Sequence, residues 1–89
     1  MAIVFVPSLL RPLTKGKDKV TVEGANLRQV IRNLDAQYPG IKARLVDDDG
    51  EVVDGMAIAI DGITSHMGLI EPVGENAEIH FIPAIGGGC

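Results

Sequence analysis

The chain has 89 residues, 46% of them hydrophobic and 3% aromatic, and carries a formal net charge of −4. So short a chain supports one small core, and its acidic balance argues against nucleic-acid binding, which needs clustered Lys or Arg and stacking platforms. The sequence has no apolar run of the roughly 20 residues that a membrane span needs, and its start lacks a signal-peptide pattern. We therefore expect a cytoplasmic protein with no membrane or nucleic-acid partner.

The first part of the chain predicts two strands joined by a long loop. Residues 3–6 are β-branched or aromatic and precede Pro7, which is typical of a short strand. Residues 8–19 contain Pro12, Gly16 and several lysines and are expected to form a loop. Residues 20–23 alternate between apolar and polar side chains, which predicts a second strand paired with the first.

One amphipathic helix is predicted after the second strand. Its apolar residues follow the spacing i, i+3, i+4 and i+7, which places them in one stripe. Asn26 can cap the free N–H groups, Gln29 occupies the capping-box position, and Pro39-Gly40 ends the helix after Tyr38. Because no second long helix is available, the stripe is expected to pack on a sheet. The stripe consists of Leu27, Val30, Ile31 and Leu34.

The second part of the chain predicts the remaining strands. Residues 44–46 and 51–53 flank an Asp-Gly pair, which is typical of a tight hairpin. Residues 56–60 and 77–82 alternate in polarity or size and are predicted strands, separated by a turn and by a loop over residues 63–76. The predicted faces are Met56, Ile58 and Ile60 opposite Ala57 and Ala59 in the first of these strands, and Ile79 and Phe81 opposite Glu78 and His80 in the last.

This element order predicts an α+β fold of the ubiquitin-like β-grasp type. Four to five strands would form a mixed sheet on one main helix, with the last strand in the middle of the sheet beside the first. The predicted domain spans residues 1–85, and residues 86–89 are expected to form a flexible, glycine-rich tail. In this arrangement the last strand directs the C-terminus into solvent.

The predicted tail suggests that the chain serves as a substrate. Gly86, Gly87 and Gly88 lack Cβ atoms, so they could thread a channel too narrow for side chains. The extended segment after Pro83 could place a carboxylate on the order of 20 Å from the domain. The sequence lacks the phosphate-binding motif G-x-x-x-x-G-K-[ST], so ATP chemistry at that carboxylate is expected to belong to a partner enzyme.

The chain resembles the ThiS/MoaD sulfur carriers over essentially its whole length. The segment FIPAIGGG follows the last predicted strand, and Pro83, Gly87 and Gly88 match the family's C-terminal Pro-x-x-x-Gly-Gly. The segment VPSLLRPLTKG after the first strand, and especially its residues 7–12, is similar to the cysteine-biosynthesis branch of that family.

The resemblance implies a function and a set of partners. An E1-like enzyme of the ThiF/MoeB type would use ATP with Mg²⁺ to adenylate the carboxyl of Gly88, and a sulfur donor would convert it to a thiocarboxylate. The acceptor would be an activated serine on a PLP-dependent, cysteine synthase-like enzyme, and a zinc metalloprotease would release the product. The chain itself would be a protein co-substrate that binds no cofactor or metal.

Cys89 departs from the family's usual Gly-Gly end and has three possible interpretations. It is an encoded extension that must be removed, a cysteine built on Gly88 by the pathway, or an inert or engineered thiol. The first two make the bond between Gly88 and Cys89 the bond that is cleaved. Two other functions stay open on sequence: a ubiquitin-like modifier conjugated through Gly88, and a β-grasp interaction module that does not need the tail.

Several other residues have a structural interpretation that we favour over a functional one. The sequence DDDG at residues 47–50 lacks the EF-hand spacing and is expected to be a solvated turn. Ser65-His66 is expected to lie in a surface loop, and Arg11 to hold the loop after the first strand. His80 is expected to be an ordinary exposed strand residue, with a place on a partner-facing surface as the alternative.

Overall fold

The structure is a computed structural model that describes residues 1–53, 55–65 and 68–83. In these ranges five strands form one mixed sheet, and the order of strands and helices is that of the predicted β-grasp fold. No helix in the described part of the chain is long and apolar enough to span a membrane. The elements are β1 (Ala2–Phe5), a 3₁₀ helix (Ser8–Thr14), β2 (Lys19–Val22), α1 (Leu27–Gln37), α2 (Ile41–Leu45), β3 (Met56–Ile60), β4 (Ile63–Thr64), a second 3₁₀ helix (Gly68–Ile70) and β5 (Glu78–Pro83).

The strands lie in the order β2-β1-β5-β3-β4. β1 is antiparallel to β2 and parallel to β5, and β3 is antiparallel to both β5 and β4. The register places Val4 beside Ile79 and Ile58 beside Phe81. The predicted position of the last strand, in the middle of the sheet next to the first, is therefore confirmed.

Helix α1 begins with the predicted cap and ends at Gln37, one residue before the predicted end, with Tyr38 as its C-cap. The Asn26 side chain accepts a hydrogen bond from the Gln29 N–H (2.9 Å), and the Gln29 side chain accepts one from the Ala25 N–H (2.9 Å). Gln29 thus reaches one residue beyond the Asn26 N–H that a capping box would use, but it still satisfies a free donor at the helix start. The predicted apolar stripe is confirmed: Leu27, Val30, Ile31 and Leu34 are all buried.

Helix α1 packs over one face of the sheet and closes a single core. Val4, Val22 and Ile79 from three neighbouring strands are fully buried in this core. Burial of such aliphatic side chains contributes roughly 1.5–3 kcal/mol each. The core therefore fixes β5 against β1 and α1, which determines where the chain emerges after Pro83.

Two predicted segments fold differently from expectation. Residues 44–46 do not form a strand, because α2 spans Ile41–Leu45 and buries Ile41 and Leu45, one helical turn apart, in the core. The predicted hairpin is reduced to one bridge between Val46 and Val52 around the turn at residues 47–50. The predicted loop at residues 8–19 contains the 3₁₀ helix Ser8–Thr14, since Leu10 and Thr14 are buried against the domain.

The predicted loop over residues 63–76 also contains regular structure. Asp61 and Gly62 both have positive φ (53° and 85°), which suits a tight turn, and this turn returns the chain as β4 beside β3. The second 3₁₀ helix, Gly68–Ile70, then contacts α1. Neither element has a recognisable sequence pattern, because each is only two or three residues long.

Replacing Gly24 with alanine tests the close approach between α1 and the segment that follows β2. A Cβ atom at this position would lie 2.7 Å from both the backbone nitrogen and Cγ2 of Val30. We expect Gly24→Ala to lower the free energy of unfolding by about 2 kcal/mol or more, because the helix must shift to relieve the overlap. Denaturant unfolding of the purified protein measures this loss.

Gly74→Ala is the matched control, since a Cβ atom there would have no neighbour within 4 Å. We expect it to change the free energy of unfolding by less than about 0.5 kcal/mol. Equal effects of the two substitutions would contradict the close packing of Gly24 on α1.

Candidate functional site

The face of the sheet opposite α1 carries an apolar patch. Side chains alternate between the two faces of a strand, and residues paired across adjacent strands lie on the same face. The residues that precede and follow a buried residue in its strand therefore lie on the face away from the core. In the register, Phe5 is paired with His80, His80 with Ala59, and Ile82 with Ala57, all on the face away from the core. We call the apolar part of this surface the outer face; it consists of Ile3, Phe5, Ala57, Ala59, His80 and Ile82, and the register places Lys19, Thr21, Thr64 and Glu78 beside it.

Phe5 and His80 form the centre of the outer face. Their rings stack with centroids 4.2 Å apart and an interplanar angle of 3°. The stack covers part of His80, which is half-buried rather than exposed as expected. The imidazole and the phenyl ring thus present one continuous surface to any protein that binds the outer face.

Small and large side chains alternate around this stack. Ala57 and Ala59 of β3 leave the surface shallow beside it, as the alternating sequence of that strand indicated. Ile82, near the end of β5, is 50% exposed, although its neighbour Phe81 is buried on the other face. An exposed isoleucine next to an aromatic stack and a shallow strip favours contact with an apolar partner surface.

A recess of about 290 Å³ lies at the end of β5, next to the outer face. It is bounded by Phe5, His80 and Ile82 on the sheet and by Arg11 and Asp18 on the loop after β1. The recess therefore lies next to the last residues of β5, the strand that precedes the predicted tail in the sequence.

Hydrogen bonds hold the loop that forms one wall of this recess. Arg11 donates from Nε to the carbonyl of Val6 (3.2 Å), which confirms the expected role of Arg11 in holding the loop. The hydroxyl of Thr14, fully buried, lies 2.8 Å from the Lys17 carbonyl and 3.2 Å from the Arg11 carbonyl. The Val6 N–H also donates to the Asp18 carbonyl (2.8 Å) and ties the loop to β1.

The predicted site residues of the tail lie outside the described residues. These are Gly86, Gly87, Gly88 and Cys89, together with the predicted domain boundary at residue 85. The structure places the strand that leads to them: β5 runs between β1 and β3, and its last residue, Pro83, is paired with Met56 at the start of β3. The residues after Pro83 therefore begin at the end of the sheet that carries Ile82 and the recess.

The other sequence candidates have structural roles where the structure describes them. The carboxylate of Asp47 accepts hydrogen bonds from the N–H groups of Asp49 (2.9 Å) and Glu51 (3.1 Å), so DDDG is the predicted turn. The Ser65 hydroxyl donates to the Glu71 carboxylate (2.8 Å), while His66 lies outside the described residues. Across residues 1–53, 55–65 and 68–83, no group of three or more His, Cys, Asp or Glu side chains could hold a metal ion.

The family resemblance implies docking through an apolar sheet face near the last strand, but the sequence did not identify the residues that form this face. The alternation of β5 predicts that Glu78 and His80 share its polar side, but it does not predict which residues of the neighbouring strands lie beside them. One sequence feature did indicate an apolar surface: Ile3 and Phe5 are apolar although they alternate with the buried residues Ala2 and Val4. Recognising the patch required the register, which brings residues from three strands together.

Comparison with known proteins covers both the domain and the residues that follow it. A family model described as the ThiS family matches residues 4–88, a range that includes Gly86, Gly87 and Gly88. The sulfur carrier protein CysO of Mycobacterium tuberculosis is 32% identical over 89 residues, and the alignment covers 96% of each chain.

Solved structures agree with this likeness. A chain in the crystal structure of the Amycolatopsis orientalis BexX/CysO complex has a TM-score of 0.92 and 26% identity, covering 98% of this chain and 99% of that one. SAMP1 from Haloferax volcanii has a TM-score of 0.75 and 22% identity, covering 97% of each chain. The second likeness shows a shared fold and no more.

Replacing Thr14 with valine tests whether the hydrogen bonds of its hydroxyl stabilise the loop that forms one wall of the recess. Valine keeps the shape of threonine but leaves the Lys17 carbonyl without its buried donor. We expect Thr14→Val to lower the free energy of unfolding by about 1 kcal/mol or more and to speed amide exchange in residues 8–17. Thr21→Val, at an exposed position of β2, is the control and should change stability by less than about 0.5 kcal/mol. Equal free energies of unfolding for the two variants would contradict a stabilising role for the Thr14 hydroxyl.

Proposed function

Because the chain belongs to the ThiS family, we propose that it is a sulfur carrier in cysteine biosynthesis and acts as a protein co-substrate. The observation that carries this proposal is the family match from residue 4 to residue 88, which spans the β-grasp domain and all three tail glycines. Similarity to CysO over 96% of the chain supports the cysteine branch. The position of β5 in the middle of the sheet supports a tail that leaves the domain beside the outer face.

The proposed chemistry takes place at the carboxyl group of Gly88. In the first step the carboxylate attacks the α-phosphorus of ATP, pyrophosphate leaves, and an acyl-adenylate forms. A hydrosulfide-level sulfur donor then attacks the activated carbonyl carbon, AMP leaves with one of the former carboxylate oxygens, and a thiocarboxylate remains on Gly88. An E1-like enzyme of the ThiF/MoeB type supplies ATP, Mg²⁺ and the groups that stabilise these charges, so this chain needs no catalytic group of its own.

In this proposal the folded domain provides most of the surface that the activating enzyme binds. Three glycines offer little side-chain surface, so the tail alone gives an enzyme little to bind. The outer face has an apolar centre in the Phe5–His80 stack and an exposed anchor in Ile82, close to the start of the tail. We propose that the activating enzyme docks on this face while residues 86–88 enter its active site.

The later steps use the same C-terminal position. The thiocarboxylate sulfur attacks an activated serine held by a PLP-dependent, cysteine synthase-like enzyme, the leaving group departs, and a carbon–sulfur bond forms. Acyl transfer from sulfur to nitrogen leaves cysteine joined to Gly88 by a peptide bond. A zinc metalloprotease then hydrolyses that bond and returns the carrier with a free Gly88 carboxyl.

Cys89 fits this cycle in two ways. As an encoded residue it blocks the Gly88 carboxyl and must be removed before the first adenylation. As a product it marks the carrier after sulfur transfer and before release. In both cases the same peptide bond, between Gly88 and Cys89, is the substrate of the processing protease.

Adenylation in a purified system tests the proposed function. The chain ending at Gly88 and the chain ending at Cys89 are each incubated with the host's E1-like enzyme, ATP and Mg²⁺, and pyrophosphate release is measured. We expect release with the chain that ends at Gly88 and none with the chain that ends at Cys89, because only the former has a free glycine carboxyl. A chain shortened to Gly87 is the control for tail length, and no release from any chain would overturn the proposal.

A substitution at Ile82 tests docking through the outer face. Ile82→Lys places a charge beside the Phe5–His80 stack without removing a fully buried side chain. In the adenylation assay, with the chain ending at Gly88, we expect KM for the carrier to rise about tenfold with kcat nearly unchanged, because binding is lost equally in ground and transition states. Ile63→Lys is the matched control, since Ile63 is also exposed (73%) but lies on β4, at the edge of the sheet. Equal KM values for the two variants would contradict docking on the outer face.

A further inference from the structure

A second groove lies on the side of the domain that carries α1, away from the outer face. It has a volume of about 470 Å³ and continues through Val52 and Gly68 into a smaller recess of about 120 Å³. One wall is the turn at residues 47–52, and the other is the second 3₁₀ helix, with Arg28 of α1 at one end. We call this surface the acidic groove; it is lined by Arg28, Asp49, Glu51, Val52, Leu69 and Ile70.

Hydrogen bonds fix the walls of the acidic groove. The Asp47 carboxylate bonds two N–H groups of the turn, and the Asp47 N–H donates to the Glu51 carbonyl (2.8 Å). The opposite wall is tied to α1 by the Leu27 N–H, which donates to the Glu71 carbonyl (3.0 Å). A groove with preformed walls binds a partner with little loss of conformational entropy.

The lining of the acidic groove combines apolar anchors with negative charge. Ile70 is 63% exposed, a large exposed fraction for an isoleucine, and it adjoins half-buried Leu69. Asp49 and Glu51 form the opposite rim, and neither carboxylate makes a hydrogen bond within the described residues. Arg28 is the one positively charged residue among the described lining residues, so the formal charge of the lining is negative. This chemistry complements a segment that carries Lys or Arg next to an aliphatic side chain.

The acidic groove also leads toward the start of the predicted tail. Its smaller recess is lined by Met56 and Ile58 of β3. Met56 is paired with Pro83, the last residue of β5, in the antiparallel register. A partner segment in the groove would therefore reach the end of the sheet from which the tail departs, on the side opposite to the outer face.

We propose that the acidic groove is a second docking surface for the activating enzyme and binds a basic and aliphatic segment of that enzyme. This inference rests on the proposed function, because it takes the enzyme that acts on Gly88 as the partner. That enzyme must recognise the unmodified carrier, and contacts on both sides of the sheet fix the orientation of the domain better than contacts on one side. The charges on the rim contribute to encounter and specificity, and Ile70 contributes buried area.

The test is adenylation of the chain ending at Gly88 by the host's purified E1-like enzyme. For the double variant Asp49→Lys/Glu51→Lys we expect KM for the carrier to rise about tenfold, with kcat nearly unchanged. Its matched control is Glu23→Lys/Glu75→Lys, which makes the same change in net charge on a recess outside the groove and should keep KM within about twofold. Asp47 is left unchanged in both variants, since its carboxylate holds the turn.

A second pair of variants separates apolar contact from charge. Ile70→Ser should raise KM about fivefold, whereas Ile63→Ser, at a similarly exposed isoleucine outside the groove, should leave it nearly unchanged. If the wild-type chain is adenylated but each variant has the same KM as its control, the acidic groove is not a docking surface. Failure of the wild-type chain to be adenylated would instead overturn the proposed function, and this inference with it.

Discussion

The parallel pairing of β1 with β5 is the constraint on which the rest of the molecule depends. Strands from the two ends of the described chain lie side by side only if the chain between them crosses the sheet, and α1 provides part of that crossover. Val4 and Ile79, paired across these strands, are fully buried under the helix. Because one face of the pair is covered in this way, the side chains on its other face form the accessible surface next to the end of β5.

Sequence alone predicted the elements that have a long or strongly alternating pattern. The stripe of α1 and the alternation of β5 correctly identified the core face and the central strand. The five-residue helix α2 was missed, because Ile41 and Leu45 fit one helical turn but the neighbouring Asp-Gly pair favoured a hairpin. The first 3₁₀ helix was also missed, since it depends on burial of Thr14 and its contact with Lys17, which no local pattern reveals. The outer face needed the strand register, which local pattern does not provide.

The proposed function divides the molecule into a part that reacts and a part that is recognised. Glycine at residues 86–88 suits entry into a narrow active site but provides few contacts, so affinity has to come from the folded domain. The outer face and the acidic groove lie on opposite sides of the sheet and both lead to the end of β5. Docking on both surfaces would fix the position of the tail more tightly than either alone, and their different chemistry, aromatic on one side and acidic on the other, would limit the choice of partners.

Whether the Gly88 carboxyl carries sulfur can be read from the mass of the intact protein. The protein is recovered from its native host and compared with the product of the same gene expressed alone in a foreign host. Sulfur carriage predicts a species from the native host that ends at Gly88 and is heavier by the exchange of one oxygen for sulfur, or one that carries a cysteine the foreign product lacks. An unchanged mass ending in Cys89 in both hosts would contradict sulfur carriage.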